Sequence, residues 1–269
     1  MNHWEHFEQK YGAPIGNGAQ CRVYRKDNTV YKVLSDGHSL STALHEGYAL
    51  AAAEDAGIPV SNIHGVYTEG GHIVMEMDYV SGKTMTELIS TAATRGDAAA
   101  VDGYLSELVN LQVLLHSKPV IGLGDARRSF IVMLRQFDGI PDSTREKLPA
   151  YLETLPDGEA LCHNDFHALN VMSCDGRYVV IDWDSAMIGD PAGDVAHSFL
   201  LARLWDGPLS LVYPDYAESY LQKYMAATQM ERARIEAWLP VHALILYLTL
   251  AKSDPDNAAL IKPYLGALA

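Results

Sequence analysis

The sequence predicts an α+β protein of two lobes, a small antiparallel-sheet lobe over residues 1–80 and a larger, mainly helical lobe over 81–269. Three observations carry that prediction. Between Ala19 and Val80, short extended runs alternate with turn residues; after Gly82 the apolar residues switch to helical spacing; and around Asp165 short apolar runs bracket a cluster of acid and amide side chains.

In the first lobe, Ala19 to Arg25 and Val30 to Leu34 flank the turn Lys26-Asp27-Asn28-Thr29 and form an antiparallel hairpin. Ser41 to Ala56 is rich in helix formers, opens on Ser/Thr and stops at Gly57, so it is a helix. Ile58 to Tyr67 and His72 to Val80 are two further strands around Glu69-Gly70-Gly71. Asp78 to Gly82 connects the lobes. Beyond it, helices are expected over Met85–Thr94, Ala98–Ser117, Phe130–Phe137, Arg145–Leu155, Ala192–Trp205, Pro214–Thr228, Met230–Leu250 and Asn257–Leu265, with Pro240 breaking or kinking the seventh. Ala160–Cys162, Val171–Ser173 and Tyr178–Asp182 are short strands.

A chain of 269 residues with 48% hydrophobic content can bury a full core. Its net charge of −14 argues against nucleic-acid and anionic-membrane surfaces and suits a cationic small substrate. Three cysteines without metal-ligand spacing point to a reducing compartment. The opening MNHWEHFEQKYG is too charged for a signal sequence, and the longest apolar stretch, His242 to Ala251, is too short to span a bilayer, so a cytoplasmic protein is expected.

The segment Leu161–Met172, LCHNDFHALNVM, is the most informative stretch. Asp165 stands five positions before Asn170, and Asp182 follows twelve positions later behind the apolar run Tyr178–Ile181. A strand delivering one carboxylate beside an Asp/Asn pair offers oxygen ligands to a hard cation such as Mg²⁺, which in such sites completes its shell with phosphate oxygens.

Together with the order of elements, these motifs resemble the aminoglycoside phosphotransferase and choline kinase superfamily, the small-molecule relatives of protein kinases. The likeness runs from about Ile15 to about Ala202 and is weakest over the C-terminal helices. His163-Asn164-Asp165 with Asn170, and Ile181-Asp182-Trp183, are specific when taken together. The resemblance implies a protein-kinase-like fold that uses ATP and Mg²⁺. It implies that Asp165 orients a substrate hydroxyl and accepts its proton, that Asn170 ligates the metal, and that Asp182 bridges metal and phosphates. Lys32 matches the strand lysine on the α- and β-phosphates, with Glu46 as its ion-pair partner. Gly16 and Gly18 match the phosphate loop, the backbone near Asp78 and Val80 the adenine-binding hinge, and Asp194 a brace for the catalytic loop.

There are three departures. Cys21 stands where protein kinases have a third glycine, Asn164 where most aminoglycoside kinases have glycine, and Trp183-Asp184 where protein kinases have Phe-Gly. The implied activity is ATP-dependent phosphorylation of a small-molecule hydroxyl, with an aminoglycoside-like acceptor favoured and a choline, ethanolamine, thiamine or sugar-alcohol kinase as alternative. The short span from Asp182 to Gly189-Asp190-Pro191 holds no activation segment, which argues against protein substrates.

Other readings stand beside these. His163, Asp165 and His167 alternate along a possible strand and could hold Zn²⁺ or Mn²⁺ in a metallohydrolase. A non-catalytic nucleotide-binding module would show a degraded motif set, whereas this one is complete. Glu54 lies on the same expected helix as Glu46 and could replace it. Asp184 is a solvated loop acid, Asp190 a cap for the helix after Pro191, and Cys162 a packed side chain. Asp215, Glu218, Glu231 and Glu236 are either the wet face of helices or ligands for a polyamine.

Overall fold

The computed structural model describes residues 4–18, 21–137 and 140–269. The expected start of the first hairpin at residues 19 and 20 lies outside the described residues. In chain order the elements are α1 (Glu5–Tyr11), β1 (Gly16–Asn17), β2 (Cys21–Lys26), β3 (Thr29–Leu34), α2 (Leu40–Asp55), β4 (Ile63–Glu69), β5 (His72–Asp78), β6 (Lys83–Thr84), α3 (Met85–Thr94), α4 (Ala98–His116), α5 (Ala126–Gln136) and α6 (Asp142–Glu153). They continue as β7 (Ala160–Cys162), a 3₁₀ turn (Ala168–Asn170), β8 (Val171–Cys174), β9 (Arg177–Val180), β10 (Met187–Gly189), α7 (Pro191–Leu209), α8 (Tyr216–Thr228), α9 (Arg232–Leu250), α10 (Pro255–Ile261) and a 3₁₀ segment (Lys262–Leu268). The α+β class expected from the sequence is the class observed.

The chain forms two compact units, residues 1–83 with 171–185, and residues 84–170 with 186–269. In the first, five antiparallel strands lie in the order β1-β2-β3-β5-β4. Register is fixed by apolar pairs such as Tyr24 opposite Tyr31, and Lys32 stands opposite Met75. One face is closed by α1, which the sequence reading missed. Phe7 and Tyr11, one helical turn apart, bury themselves with Tyr24, Val33 and Val74. Helix α2 is capped by Ser39, whose hydroxyl accepts from the Thr42 amide. The β8–β9 hairpin joins this unit through Val180, whose amide donates to the Pro59 carbonyl at 2.9 Å. Gly82 (φ 146°) runs so close to this hairpin that a Cβ there would sit 1.8 Å from the Ser173 carbonyl oxygen.

The second unit is helical, with β7 and β10 paired antiparallel inside it. Helix α5 begins four residues earlier than expected because Asp125 caps it, accepting from the Arg128 amide. Helix α9 continues through Pro240 without the break that was one of the two expected outcomes. The Tyr151 hydroxyl donates at 2.7 Å to the Ala237 carbonyl, in the turn where the proline ring loosens the helical ladder. At 19 residues α9 is long and apolar enough by composition to cross a membrane, which the shorter stretch read from the sequence was not. Half of its most apolar window is buried within the unit, and it packs against α7.

Candidate active site

In the first unit, three predicted residues meet. Lys32 on β3 projects toward Glu46, which α2 presents to the sheet, and toward Asp182 beyond β9. The Lys32 ammonium donates to both Glu46 oxygens at 2.8 and 3.0 Å and to Asp182 Oδ1 at 2.8 Å. Glu46 is buried and Asp182 partly exposed, so the lysine bridges an inner and an outer carboxylate. Glu54, the alternative partner, is exposed. Burial alone would push the lysine pKa down, but the charges of Glu46 and Asp182 outweigh it and hold Lys32 above the ordinary lysine range. It is therefore a fixed cation.

Asp182 does not continue the strand as expected. β9 ends at Val180, and Asp182 takes a left-handed backbone (φ 65°), a conformation aspartate tolerates better than most residues. Trp183, fully buried and donating from its indole N–H to the Val180 carbonyl at 3.1 Å, pins the turn. A cavity of about 390 Å³ opens beside this cluster, with Lys32, Glu46 and Asp182 in its lining and apolar walls from Ile15, Val23, Val30, Met77 and Met172. Asp78 and Val80 also line it. The Asp78 amide and carbonyl are engaged by Asn62 and Ser61, and the Tyr79 amide by Asn28, which leaves the Val80 amide without a partner among the described residues. Gly16 lies in β1 opposite Val23, and the Gly18 amide donates to the Cys21 carbonyl at 2.9 Å.

The second unit gathers the other predicted pair on the loop after β7. The Asn170 side-chain amide donates to the Asp165 carbonyl at 2.9 Å and to Asp165 Oδ2 at 3.1 Å, so Asn170 Oδ1 faces away from these bonds. Asp165 Oδ1 lies 3.4 Å from His167 Nε2 and 3.6 Å from His197 Nε2. Burial would raise the Asp165 pKa; the two imidazoles outweigh it and hold the carboxyl well below the usual range.

His197 was not anticipated. It stands one helical turn after Asp194 on α7, a spacing that places both on one helix face. Its Nδ1 is 3.2 Å from Nδ1 of His242, a residue 1% exposed on α9. Burial drives the His242 pKa well below the histidine range and keeps it neutral. His242 Nε2 has no partner and packs near Gly193. A stranded lone pair is cheaper there than a stranded N–H, so His242 donates from Nδ1. His197 then accepts at Nδ1 and turns an Nε2–H toward Asp165.

Asp194 fills the bracing position. Its Oδ1 accepts from the Asn164 amide at 2.6 Å, and its Oδ2 from His116 at 2.9 Å and Gln112 at 3.0 Å. Burial opposes ionisation, yet these donors hold the Asp194 carboxyl below its ordinary range. Gln112 and His116 were also missed, although their spacing of four on the otherwise apolar face of α4 is a legible signal. Asp190 caps α7 as expected and also accepts from Arg234 and from the Trp238 indole.

Residues 163–167 form a loop, not a strand, so the alternation that would align His163, Asp165 and His167 is absent. His163 is buried edge-on against Phe166. Among the described residues no three His, Cys, Asp or Glu side chains converge as a metal-ligand group.

The model of one protein family, described as the phosphotransferase enzyme family, matches residues 12–238. No curated protein sequence matches the chain. Among solved structures, a thermostable mutant of the aminoglycoside phosphotransferase APH(4)-Ia, in a ternary complex with AMP-PNP and hygromycin B, is similar at TM-score 0.68 and 18% identity, covering 98% of this chain and 96% of that one. The choline kinase LicA from Streptococcus pneumoniae is similar at TM-score 0.65 and 18% identity, covering 98% of each chain. A choline/ethanolamine kinase family protein from Mesorhizobium loti follows at TM-score 0.63 and 16% identity, covering 99% and 93%. At these identities the likeness is one of fold.

Proposed function

This chain belongs to the phosphotransferase enzyme family, and from that premise we propose that it transfers the γ-phosphoryl group of ATP to a hydroxyl of a small molecule. The observation that carries the reading is the Lys32 ammonium held between Glu46 and Asp182 at the edge of an apolar cavity. A slot of that kind suits a purine, with the Val80 amide as its hydrogen-bonding edge, and the lysine suits the α- and β-phosphates.

The donor set fits Mg²⁺. Asp182 keeps one oxygen outside its bond to Lys32, and Asn170 keeps its amide oxygen outside its bonds to Asp165. Both are hard oxygen ligands of the kind such an ion takes alongside phosphates. When bound, the ion neutralises charge on the phosphate oxygens. Asp165 orients the acceptor hydroxyl and takes its proton; its low pKa keeps it an ionised acceptor at neutral pH. The reaction asks little covalent chemistry of the protein, so rate comes from alignment and from electrostatics.

For the acceptor, an aminoglycoside-like compound and a choline-type amino alcohol both have support, in the compound bound in one similar structure and in the names of the others. ADP release from Mg²⁺-ATP, measured with and without hydroxyl acceptors, tests the proposal. Acceptor-dependent release is expected. ATP binding without turnover of any acceptor would instead indicate a binding module.

A further inference from the structure

The second unit contains a cavity of about 220 Å³ that bears on the acceptor. Phe166, His167 and Leu169, from the loop just past Asp165, form one side; Leu201 and Trp205 on α7 and Tyr216 on α8 form others. It adjoins the reacting loop, since His167 in its wall stands 3.4 Å from Asp165 Oδ1. The lining contains no Asp, Glu, Lys or Arg. Most of its polar groups are spoken for: the Tyr220 hydroxyl donates to Gln112, and the Ser198 hydroxyl to the Asp194 carbonyl. One is not: the hydroxyl of Tyr216, a residue 3% exposed, makes no hydrogen bond among the described residues.

That lining is wrong for a polyamine. An ammonium bearing N–H groups placed there would give up its water with no carboxylate in the wall to replace it. Three acids on the neighbouring helices are already paired, Glu218 and Glu236 with Arg232 and Asp206 with Arg203. An apolar cavity with one waiting hydroxyl suits an uncharged organic molecule with few oxygens.

We propose that the acceptor is an uncharged, largely hydrocarbon alcohol whose skeleton lies against Phe166, Leu201 and Trp205, with a further oxygen bonded by Tyr216. This rests on the phosphotransfer reading. In the step, Asp165 takes the hydroxyl proton, the acceptor oxygen bonds to the γ-phosphorus, the bond from that phosphorus to the β–γ bridging oxygen breaks, and ADP leaves.

The test uses the full chain with Mg²⁺. Calorimetry in the presence of AMP-PNP measures binding, and ADP release from ATP measures turnover. The probes are uncharged alcohols of rising size (2-phenylethanol, geraniol and a phenyl-substituted diol), set against kanamycin and choline. The uncharged alcohols are expected to bind and to be turned over with kcat/KM at least about tenfold above the cationic probes. Leu201→Asp, which puts a charge in the wall, should lower their kcat/KM about tenfold and leave AMP-PNP affinity unchanged. Tyr216→Phe keeps the ring and the fold and should raise KM for the diol about fivefold with little change in kcat. Higher kcat/KM with kanamycin or choline would overturn the inference and keep the phosphotransferase. Failure of every uncharged alcohol to bind would overturn it too. Binding without ADP release from any probe would overturn the phosphotransfer reading and, with it, the acceptor role of the cavity.

Discussion

At Asn164 the backbone turns into the left-handed region (φ 59°) just before Asp165, and its amide donates to Asp194. The resemblance implied only that asparagine stands where most aminoglycoside kinases carry glycine. The backbone angle supplies the reason, because these two residue types tolerate that conformation. Asn164→Gly should therefore leave stability within about 0.5 kcal/mol, while Asn164→Ala should cost about 1 kcal/mol, read from urea midpoints. On the proposed function, Asp165→Ala should lower kcat by about 10³-fold or more with nucleotide affinity nearly unchanged, because its carboxylate acts on the acceptor hydroxyl rather than on the nucleotide. Asp182→Ala should weaken metal-dependent ATP binding and turnover together, since it removes one arm of the Lys32 clamp. Calorimetry and steady-state kinetics on the two variants separate these roles; undiminished Mg²⁺-ATP affinity in Asp182→Ala would contradict the second.

Among the elements, α7 does the most to organise the second unit. Its N-cap Asp190 accepts from Ala192, Arg234 and Trp238 with its side chain fully buried, tying the helix start to α9. Asp190→Ala loses the cap and strands the Trp238 N–H, and should destabilise the protein by about 2 kcal/mol or more in urea unfolding. The same helix carries Asp194 to the loop after β7 and His197 to Asp165. Most element types were legible because periodicity and caps are local: α3, α4 and β7 fall within a residue of their expected bounds. Helix α1 was not, because seven residues with a single aromatic pair carry little pattern until Tyr24 and Val74 are there to cover them. Pro240 does not end α9, for a related reason. Propensity disfavours it in a helix, and packing of α9 in the core overrode propensity.

Over the whole molecule, acid works in one direction. His242 has a folded-state pKa far below its unfolded value, so the unfolded chain takes up a proton there as pH falls through about 6.5 and the folded chain does not. The stability it contributes is complete above that pH and declines as pH drops below it. Asp165 and Asp194 have depressed carboxyl values, so their contributions are complete above about pH 4 and are lost at lower pH. Urea midpoints should accordingly fall from pH 7 to pH 5. His242→Phe, which removes the titrating ring, should flatten that segment; an unchanged slope would show that another group controls it. The sequence by itself determined the α+β class and the order of the longer elements. Motif spacing singled out Asp165, Asn170 and Asp182, and the family resemblance added Lys32 and Glu46, because such signals are properties of neighbours along the chain. Tertiary structure alone decided that Lys32 clamps Asp182 across 150 positions and that residues 171–185 cluster with the N-terminal strands. It also decided that His242 stands behind His197 and that the cavity beside His167 has no Asp, Glu, Lys or Arg in its lining. Such contacts join residues far apart in the chain, where only the packing of whole elements fixes which side chains share a site.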